Sequence, residues 1–203
     1  MNNFFQNLPF KRVLLFIKSW LPFVLLLILL RYTGILSGIS FAASSALLKI
    51  GVMDAKPNDV AVVKSFDYNF SIKDMDGKVI DFNTYKGKTI FINLWATWCG
   101  PCRVEMPSIQ KLYDRVNHEE IIFVMISLDD PKNTNKILKF ISDRQLTLPV
   151  YQPASALPDE LDVPSIPTTL VIDPKGKIVS KKVGAANFDT DKFEKFLTGL
   201  SSK

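Results

Sequence analysis

Two cysteines constrain this chain more than any other feature, because they stand three residues apart at the start of a predicted helix. Residues Thr89–Trp95 are apolar and rich in β-forming side chains, which predicts a buried strand. Residues Pro101–Asn117 carry apolar side chains at helical spacing, so Cys99 and Cys102 lie where the strand gives way to the helix. A thiolate at a helix N-terminus is stabilised by unpaired backbone N–H groups and by the helix dipole. The arrangement predicts a redox pair in which Cys99 is exposed and attacks a disulfide, while Cys102 resolves the mixed disulfide.

Two other uses of the cysteine pair fit the sequence less well. An inert structural disulfide between these cysteines would enclose almost no loop and would stabilise the fold little. A structural zinc ion takes four ligands, whereas the chain holds only these two thiols and one histidine, His118. We therefore expect no metal and no other cofactor, and we expect His118 to be a surface residue near a helix C-terminus.

The charge of the chain is concentrated at its N-terminal end. The formal net charge is +5, and residues 1–56 account for all of it with six basic side chains and one acidic side chain. Residues 57–203 hold 19 basic and 19 acidic side chains. This neutral body has no basic surplus to neutralise phosphate groups, which excludes the nucleic-acid binding that the net charge alone would suggest.

The basic excess accompanies an apolar leader that predicts a membrane anchor. Residues 13–32 are long enough to cross a bilayer as a helix if Lys18 reaches the headgroups. The basic side chains before and within this stretch keep residues 1–12 in the cytoplasm, and residues 63–203 form a domain on the other side. The alternative is a cleaved signal peptide. The first cluster of small residues, 42–46, follows the apolar stretch by more than ten residues, which favours the anchor.

Residues 33–62, between the anchor and the body, are predicted to be a juxtamembrane linker. Gly34 and Gly38 form a G-x-x-x-G pattern that is typical of packed transmembrane helices. The apolar side chains of residues 33–50 could equally line one face of a helix on the membrane surface. The sequence leaves these three interpretations open.

Beyond residue 63, the periodicity of the apolar side chains predicts an α/β fold. Residues Phe66–Ile72 and Val79–Phe82 flank the turn Asp74–Gly77 and are predicted to form a hairpin. The other predicted elements, in chain order, are strand 89–95, helix 101–117, strand 121–128, helix 133–144, strands 168–172 and 178–183, and helix 189–200. Buried strands that alternate with helices imply one sheet with helices packed on it.

The motif Trp95–Cys102 (WATWCGPC), Pro107 in the following helix and the segment Ile166–Thr169 before a strand together resemble the thioredoxin superfamily. More narrowly, the chain resembles the membrane-anchored TlpA/ResA-type thiol–disulfide oxidoreductases, from about Phe66 to Leu200. The resemblance implies a thioredoxin-like central mixed sheet flanked by helices, with an N-terminal β-hairpin and one preceding transmembrane helix. It also implies a single-pass protein of a bacterial inner membrane, with the thioredoxin-like domain on the periplasmic, extracytoplasmic side.

The resemblance also assigns roles at the site. It makes Cys99 the attacking thiol and Cys102 the resolving thiol of a redox-active disulfide, and it makes Pro167 a cis-proline that faces them. The residues expected to bind substrate are Trp98, Gly100, Pro101, Ile166 and Pro167. Trp95 either flanks this site or belongs to the core, and the sequence leaves both interpretations open.

The chain departs from cytosolic thioredoxins at the position six residues before Cys99. Those proteins carry a buried aspartate there, whereas Asn93 cannot take up a proton. Glu105 lies three residues after Cys102 on the same helix face, and ResA-like proteins have a glutamate at this place. A partly buried carboxyl group would exchange the thiol proton, whereas an exposed helix glutamate would not, and both remain open. We take Glu105 as a third candidate catalytic residue.

Three functions fit these residues. The first is an extracytoplasmic reductase of protein disulfides, for example in cytochrome c maturation, which receives electrons from an integral-membrane thiol protein. The second is a disulfide oxidase or isomerase, which uses the same residues at a different potential. The third is a non-catalytic binding or copper-delivery module. Such modules use a metal-binding histidine beside the cysteines, and this chain has no histidine placed there. The Gly-Pro dipeptide between the cysteines is thioredoxin-like and favours the reductase.

Overall fold

The computed structural model describes residues 20–25, 54–55 and 64–201 of the 203-residue chain. Residues 20–25 are helical and their side chains are exposed. Within these ranges, no helix is both long enough and apolar enough to cross a membrane. The predicted anchor 13–32 and linker 33–62 fall mostly outside the described residues, so both remain predictions.

The body contains ten strands and helices over the residues that the structure describes from 64 onward. In chain order they are β1 (Ser71–Asp74), β2 (Val79–Asp81), β3 (Thr89–Trp95), α1 (Gly100–Arg115), β4 (Ile121–Ser127), α2 (Thr134–Asp143), β5 (Val150–Pro153), β6 (Thr168–Ile172), β7 (Ile178–Val183) and α3 (Asp191–Ser201). The strands pair in the order β2-β1-β5-β4-β3-β6-β7. Strand β3 runs parallel to β4 and antiparallel to β6, so the sheet is mixed, as predicted.

Strand β3 lies at the centre of the packing, and all seven of its residues are buried. Its alternate side chains enter two different cores, because successive residues of a strand point to opposite faces. Phe91 and Trp95 join the cluster that contains the buried side chains of the three α-helices. Ile90 and Ile92 belong to a second cluster. This cluster also contains aromatic side chains and buried residues of two short 3-10 helices, Phe82–Tyr85 and Asp159–Leu161. Helical elements therefore flank the sheet on both faces.

The prediction of a strand over Phe66–Ile72 is wrong for its first five residues, because β1 begins at Ser71. Phe66, Tyr68 and Phe70 are buried in alternation, but their segment packs on the sheet without joining its ladder. An extended segment that packs on the face of a sheet buries every second side chain, as a strand within the sheet does. The pattern alone therefore did not separate the two arrangements.

Strand β5 was missed by the sequence analysis. It has four residues, ends in Pro153, and pairs with β4 through only two residues. A short segment that ends in proline does not give a clear strand pattern. Strand β5 nevertheless connects the confirmed β1–β2 hairpin to the rest of the sheet, because β1 pairs with it antiparallel.

Asp54 and Ala55, the described residues of the predicted linker, contact the body. The backbone N–H of Ala55 donates to the carbonyl oxygen of Asn187 at 2.9 Å, and the Asn187 side-chain amide donates to Asp54 at 2.8 Å. Ala55 is 3% exposed and belongs to the same core cluster as the three α-helices. Contacts of the body with the preceding chain therefore begin before residue 63.

We expect the Phe82→Ala variant to lose about 3–5 kcal/mol in free energy of unfolding, because it removes a fully buried ring and leaves a cavity. The Phe82 ring stacks on Phe70 with 4.3 Å between centroids. Urea unfolding of the whole chain measures the loss. The matched control is Val79→Ala on the exposed edge strand β2, for which we expect a change within about 0.5 kcal/mol. Equal losses for the two variants would contradict this packing.

Candidate active site

The cysteine pair stands at the N-terminus of α1, directly after the loop that leaves β3. Cys99 and Cys102 form a disulfide bond. Cys99 is the N-cap residue of α1, and its Sγ accepts a hydrogen bond from the backbone N–H of Cys102 at 3.2 Å. Pro101 occupies the first turn, where a missing N–H costs nothing. The predicted placement of the pair at a helix N-terminus is confirmed.

The exposure of the site differs from the sequence-based expectation. Cys99 was expected to be exposed, but in the disulfide form it is 5% exposed, and Cys102 is fully buried. The Sγ atom of Cys99 faces a neighbouring loop, and its distance to the carbonyl oxygen of Ile166 is 3.7 Å. Around it, Trp98 is 70% exposed, and Gly100 and Pro101 are also exposed. The small exposed part of Cys99 is thus surrounded by exposed residues that an approaching polypeptide can contact.

The Ile166–Pro167 peptide bond is cis, as predicted. Pro167 is buried and Ile166 is half-buried, and the backbone N–H of Gly184 holds the Pro167 carbonyl at 2.8 Å. The contact between Ile166 and Cys99 places this loop beside the cysteine pair. All five residues predicted to bind substrate therefore lie at the disulfide: Trp98 in the loop before α1, Gly100 and Pro101 in the first turn of α1, and Ile166 and Pro167 in the loop before β6.

Trp95 belongs to the core. It is fully buried, and its ring packs against Phe140 of α2 with 5.2 Å between centroids. His118 is exposed, as predicted, and its Nε2 lies 2.7 Å from the carbonyl oxygen of Tyr113 near the end of α1. Its ring stacks on the Tyr113 ring. Neither side chain takes part in the contacts around the disulfide that are described above.

Glu105 is completely buried one turn after Cys102, so the interpretation as an exposed surface glutamate is wrong. Its Oε1 accepts a hydrogen bond from the Asn93 amide at 2.8 Å, and its Oε2 accepts one from the backbone N–H of Ala186 at 3.1 Å. Burial raises the pKa of Glu105 to about 8, against the opposing effect of these two hydrogen bonds. The carboxyl group therefore changes its charge near neutral pH.

Sequence reasoning missed a second buried carboxylate, Asp129, which holds the loop between β3 and the cysteines. It accepts hydrogen bonds from the backbone N–H and the hydroxyl of Thr97 at 2.8 and 2.6 Å. The Ser127 hydroxyl donates to it at 2.8 Å. Thr97 and Asp129 are 32 residues apart in the chain, so no local pattern could have revealed the contact. Only the position of Asp129 after a predicted strand could have drawn attention to it.

Comparison with known proteins gives a consistent set of relatives. Residues 65–181 match the AhpC/TSA family. The chain is 28% identical to the thioredoxin-like protein YneN of Bacillus subtilis over 168 residues, which cover 83% of this chain and 91% of that protein. It is 33% identical to a thiol-disulfide oxidoreductase ResA of Bacillus cereus over 117 residues, which cover 57% of this chain. The match spans 66% of that ResA protein, just under two thirds of its length.

Solved structures with the same fold include StoA from Bacillus subtilis. Its TM-score to this chain is 0.52 at 26% identity, and the match covers 68% of this chain and 98% of that chain. A thiol:disulfide interchange protein of the thioredoxin family from Chlorobium tepidum TLS gives a TM-score of 0.55 at 25% identity. That match covers 70% of this chain and 99% of the other. The predicted thioredoxin-like fold is confirmed.

The buried Glu105 predicts a specific dependence of stability on pH in the disulfide form. Its folded-state pKa of about 8 lies above the ordinary value of 4.5, so the neutral carboxyl stabilises the fold fully below about pH 4.5. This contribution is lost as the pH rises toward 8. We expect wild type to lose free energy of unfolding relative to Glu105→Gln between pH 5 and pH 8, by on the order of a few kcal/mol. Urea unfolding at a series of pH values measures the difference, and parallel curves for the two proteins would refute it.

Proposed function

The chain belongs to the AhpC/TSA family and is a thiol–disulfide oxidoreductase, and we propose from this premise that it reduces disulfide bonds of other proteins outside the cytoplasm. The observation that carries the proposal is the disulfide at the N-terminus of α1 beside the cis Ile166–Pro167 peptide. A thiolate formed at this place is stabilised by the first N–H groups of the helix. The pair can therefore exchange with a disulfide that approaches over the exposed surface around Trp98.

The proposed location rests on the sequence of the leader. Residues 13–32 would anchor the chain in a bacterial cell membrane, with residues 1–12 in the cytoplasm and the redox domain outside. Disulfide bonds persist outside the cytoplasm, so a reductase at that place has substrates. The oxidised cysteine pairs of apocytochrome c before haem attachment are the example that the resemblance to ResA-type proteins favours.

Substrate would bind across the start of α1, the loop before it and the cis-proline loop, which meet at the disulfide. Trp98 offers a large exposed aromatic face, and Gly100 leaves room because a side chain there would meet no atom within 4 Å. The Ile166 carbonyl beside Cys99 and the buried Pro167 would hold the extended backbone of the substrate. The reacting sulfur of the substrate is thereby directed onto Cys99, the cysteine that keeps some exposure.

The reaction proceeds by two exchanges from the reduced pair. The Cys99 thiolate attacks one sulfur of the substrate disulfide, the substrate S–S bond breaks, and its departing thiolate takes up a proton. Cys102 then loses its proton and attacks Cys99 Sγ, which breaks the mixed disulfide and releases the second substrate thiolate, and this thiolate also takes up a proton from solvent. The substrate has gained two electrons and two protons, and the enzyme is left with the Cys99–Cys102 disulfide.

Glu105 is proposed to receive the Cys102 proton during the second exchange. The two residues lie one turn apart on α1, and both are fully buried, where bulk water cannot carry the proton. A carboxyl group with a pKa of about 8 has both forms populated near neutral pH, which suits a group that accepts and later releases a proton. A dithiol protein of the membrane would then reduce the disulfide by the reverse exchanges and complete the cycle.

The roles of the two cysteines predict different outcomes for their serine variants. Cys102→Ser keeps the attacking thiol but cannot resolve the mixed disulfide, so it should accumulate covalent adducts with substrate proteins in cells. Cys99→Ser lacks the attacking thiol and should neither trap substrates nor reduce a disulfide probe above background. Non-reducing gels of the acid-quenched, alkylated chain measure the adducts, and the double variant Cys99→Ser/Cys102→Ser gives the baseline. Adducts on Cys99→Ser and none on Cys102→Ser would reverse the assignment.

A further inference from the structure

The proposed reaction assigns no role to the two hydrogen bonds that the Asn93 side chain donates. It lies in the middle of β3 and is fully buried. Its Nδ2 donates to Glu105 Oε1 at 2.8 Å and to Thr169 Oγ1 at 2.9 Å. Both N–H bonds of the amide are thereby occupied. A neutral side chain thus connects the buried carboxyl group to the strand that follows the cis-proline.

The sheet fixes the position of this connection. Asn93 and Thr169 are directly paired residues in the antiparallel ladder of β3 and β6, and Thr169 follows Pro167 by two residues. Thr169 is 3% exposed, so its hydroxyl has little access to water. The hydroxyl and the carboxyl group both accept from Nδ2, so together they hold the amide with one N–H bond toward Glu105 and the other toward Thr169. Rotation of the amide would place its oxygen against the oxygen of the Glu105 carboxylate, which can only accept, so the charged form of Glu105 favours the observed orientation.

In this orientation the amide oxygen of Asn93 is buried in an unfavourable environment. Among the described residues, no hydrogen-bond donor reaches Asn93 Oδ1, although this oxygen is buried. A buried acceptor without a partner destabilises a fold, so leucine, of similar size, would suit a purely structural role at this place better. The arrangement therefore favours the hydrogen bond from Asn93 Nδ2 to Glu105 over the stability of the core.

A hydrogen bond from a neutral amide stabilises a carboxylate more than a carboxylic acid. The charged form of Glu105 has two such donors, the Asn93 amide and the Ala186 backbone N–H, and no cationic side chain among its hydrogen-bond partners in the described body. An aspartate at position 93 would instead place a second negative charge beside it. Asparagine at position 93 therefore stabilises the buried carboxylate form of Glu105 without adding a charge of its own.

We propose that Asn93, held by Thr169, is a positioning residue that orients the Glu105 carboxyl group and sets the pH at which it accepts the Cys102 proton. The inference rests on the proposed role of Glu105 and extends it to a residue that touches neither substrate nor sulfur. Asn93 changes no bond itself. It acts by favouring the carboxylate form before the second exchange.

The test separates the two exchanges with the probe 5,5′-dithiobis(2-nitrobenzoate) and the reduced full-length chain. Attack by Cys99 releases the first thionitrobenzoate, and attack by Cys102 on the mixed disulfide releases the second. The pH profile of the second release reports the step that Glu105 serves. We expect Asn93→Leu to move the midpoint of that profile upward by about one pH unit, because the carboxylate loses one of its two donors. The first release confirms that Cys99 is still reactive, and urea unfolding of the same variant confirms that it is folded.

Two further variants keep the test independent of folding. Thr169→Val removes only the hydroxyl that holds the amide and should shift the midpoint in the same direction by less. Thr89→Val, at the start of the same strand, replaces another fully buried threonine and should leave the midpoint unchanged. In a Glu105→Gln background, Asn93→Leu should cause no additional shift, because its target carboxyl group is gone.

Three results would overturn the inference. If Asn93→Leu and Thr169→Val keep the wild-type midpoint while Glu105→Gln alters the profile, Asn93 is not the positioning residue and the role of Glu105 stands. If the Asn93→Leu shift persists in the Glu105→Gln background, Asn93 acts on the site by another route. If Glu105→Gln leaves the profile unchanged, the inference falls together with the proposed role of Glu105, whereas exchange through Cys99 and Cys102 is untouched.

Discussion

The complete burial of strand β3 is the constraint on which the rest of the site depends. Its residues are shared between two cores, one on each face of the sheet, so the strand cannot shift without disturbing both. The chain must therefore leave the sheet at Trp95, and the loop that follows has only a few residues before α1 begins at Gly100. Cys99 is thereby held at the N-cap, where the helix stabilises a thiolate.

Neighbouring strands complete the site through contacts that cross the same end of the sheet. Strand β6 pairs antiparallel with β3, which brings the cis Ile166–Pro167 peptide at its start beside the cysteines. Strand β4 runs parallel to β3, and Asp129 beyond its end binds the loop at Thr97. These contacts fix the loop and the proline against each other before any substrate binds, which is the preorganisation that exchange chemistry needs.

The sequence predicted the parts of the fold that have a strong local period. Strand β3, helix α1 and the cysteine pair were predicted with nearly their observed bounds, because burial on both faces and a helical repeat leave clear patterns. Strand β5 was missed because it is short and ends in Pro153. The segment at Phe66 was taken for a strand, because an extended segment on the face of a sheet buries every second side chain, as a paired strand does.

For the site, as for the fold, local features were predicted from the sequence and long-range contacts were not. The roles of Cys99 and Cys102 were predicted from their spacing and from a family resemblance, and the cis-proline from the resemblance alone. The burial of Glu105 remained undecided, because it depends on Ala186, which lies 81 residues away and whose backbone N–H no sequence pattern reveals. Asn93 did stand out in the sequence, because it takes the place of the buried aspartate of cytosolic thioredoxins, but its bond to Glu105 became evident only in three dimensions.

The central claim is that this chain passes electrons to disulfide bonds outside the cytoplasm, and the redox state of its cysteine pair in growing cells tests this most directly. Cys99 and Cys102 are the only cysteines, so alkylation with a mass tag after acid quenching counts them without ambiguity. A mostly reduced pair, which carries two tags, is the result that the account predicts, because a reductase must be supplied with electrons. A mostly oxidised pair that carries no tag would contradict the account and favour a disulfide oxidase.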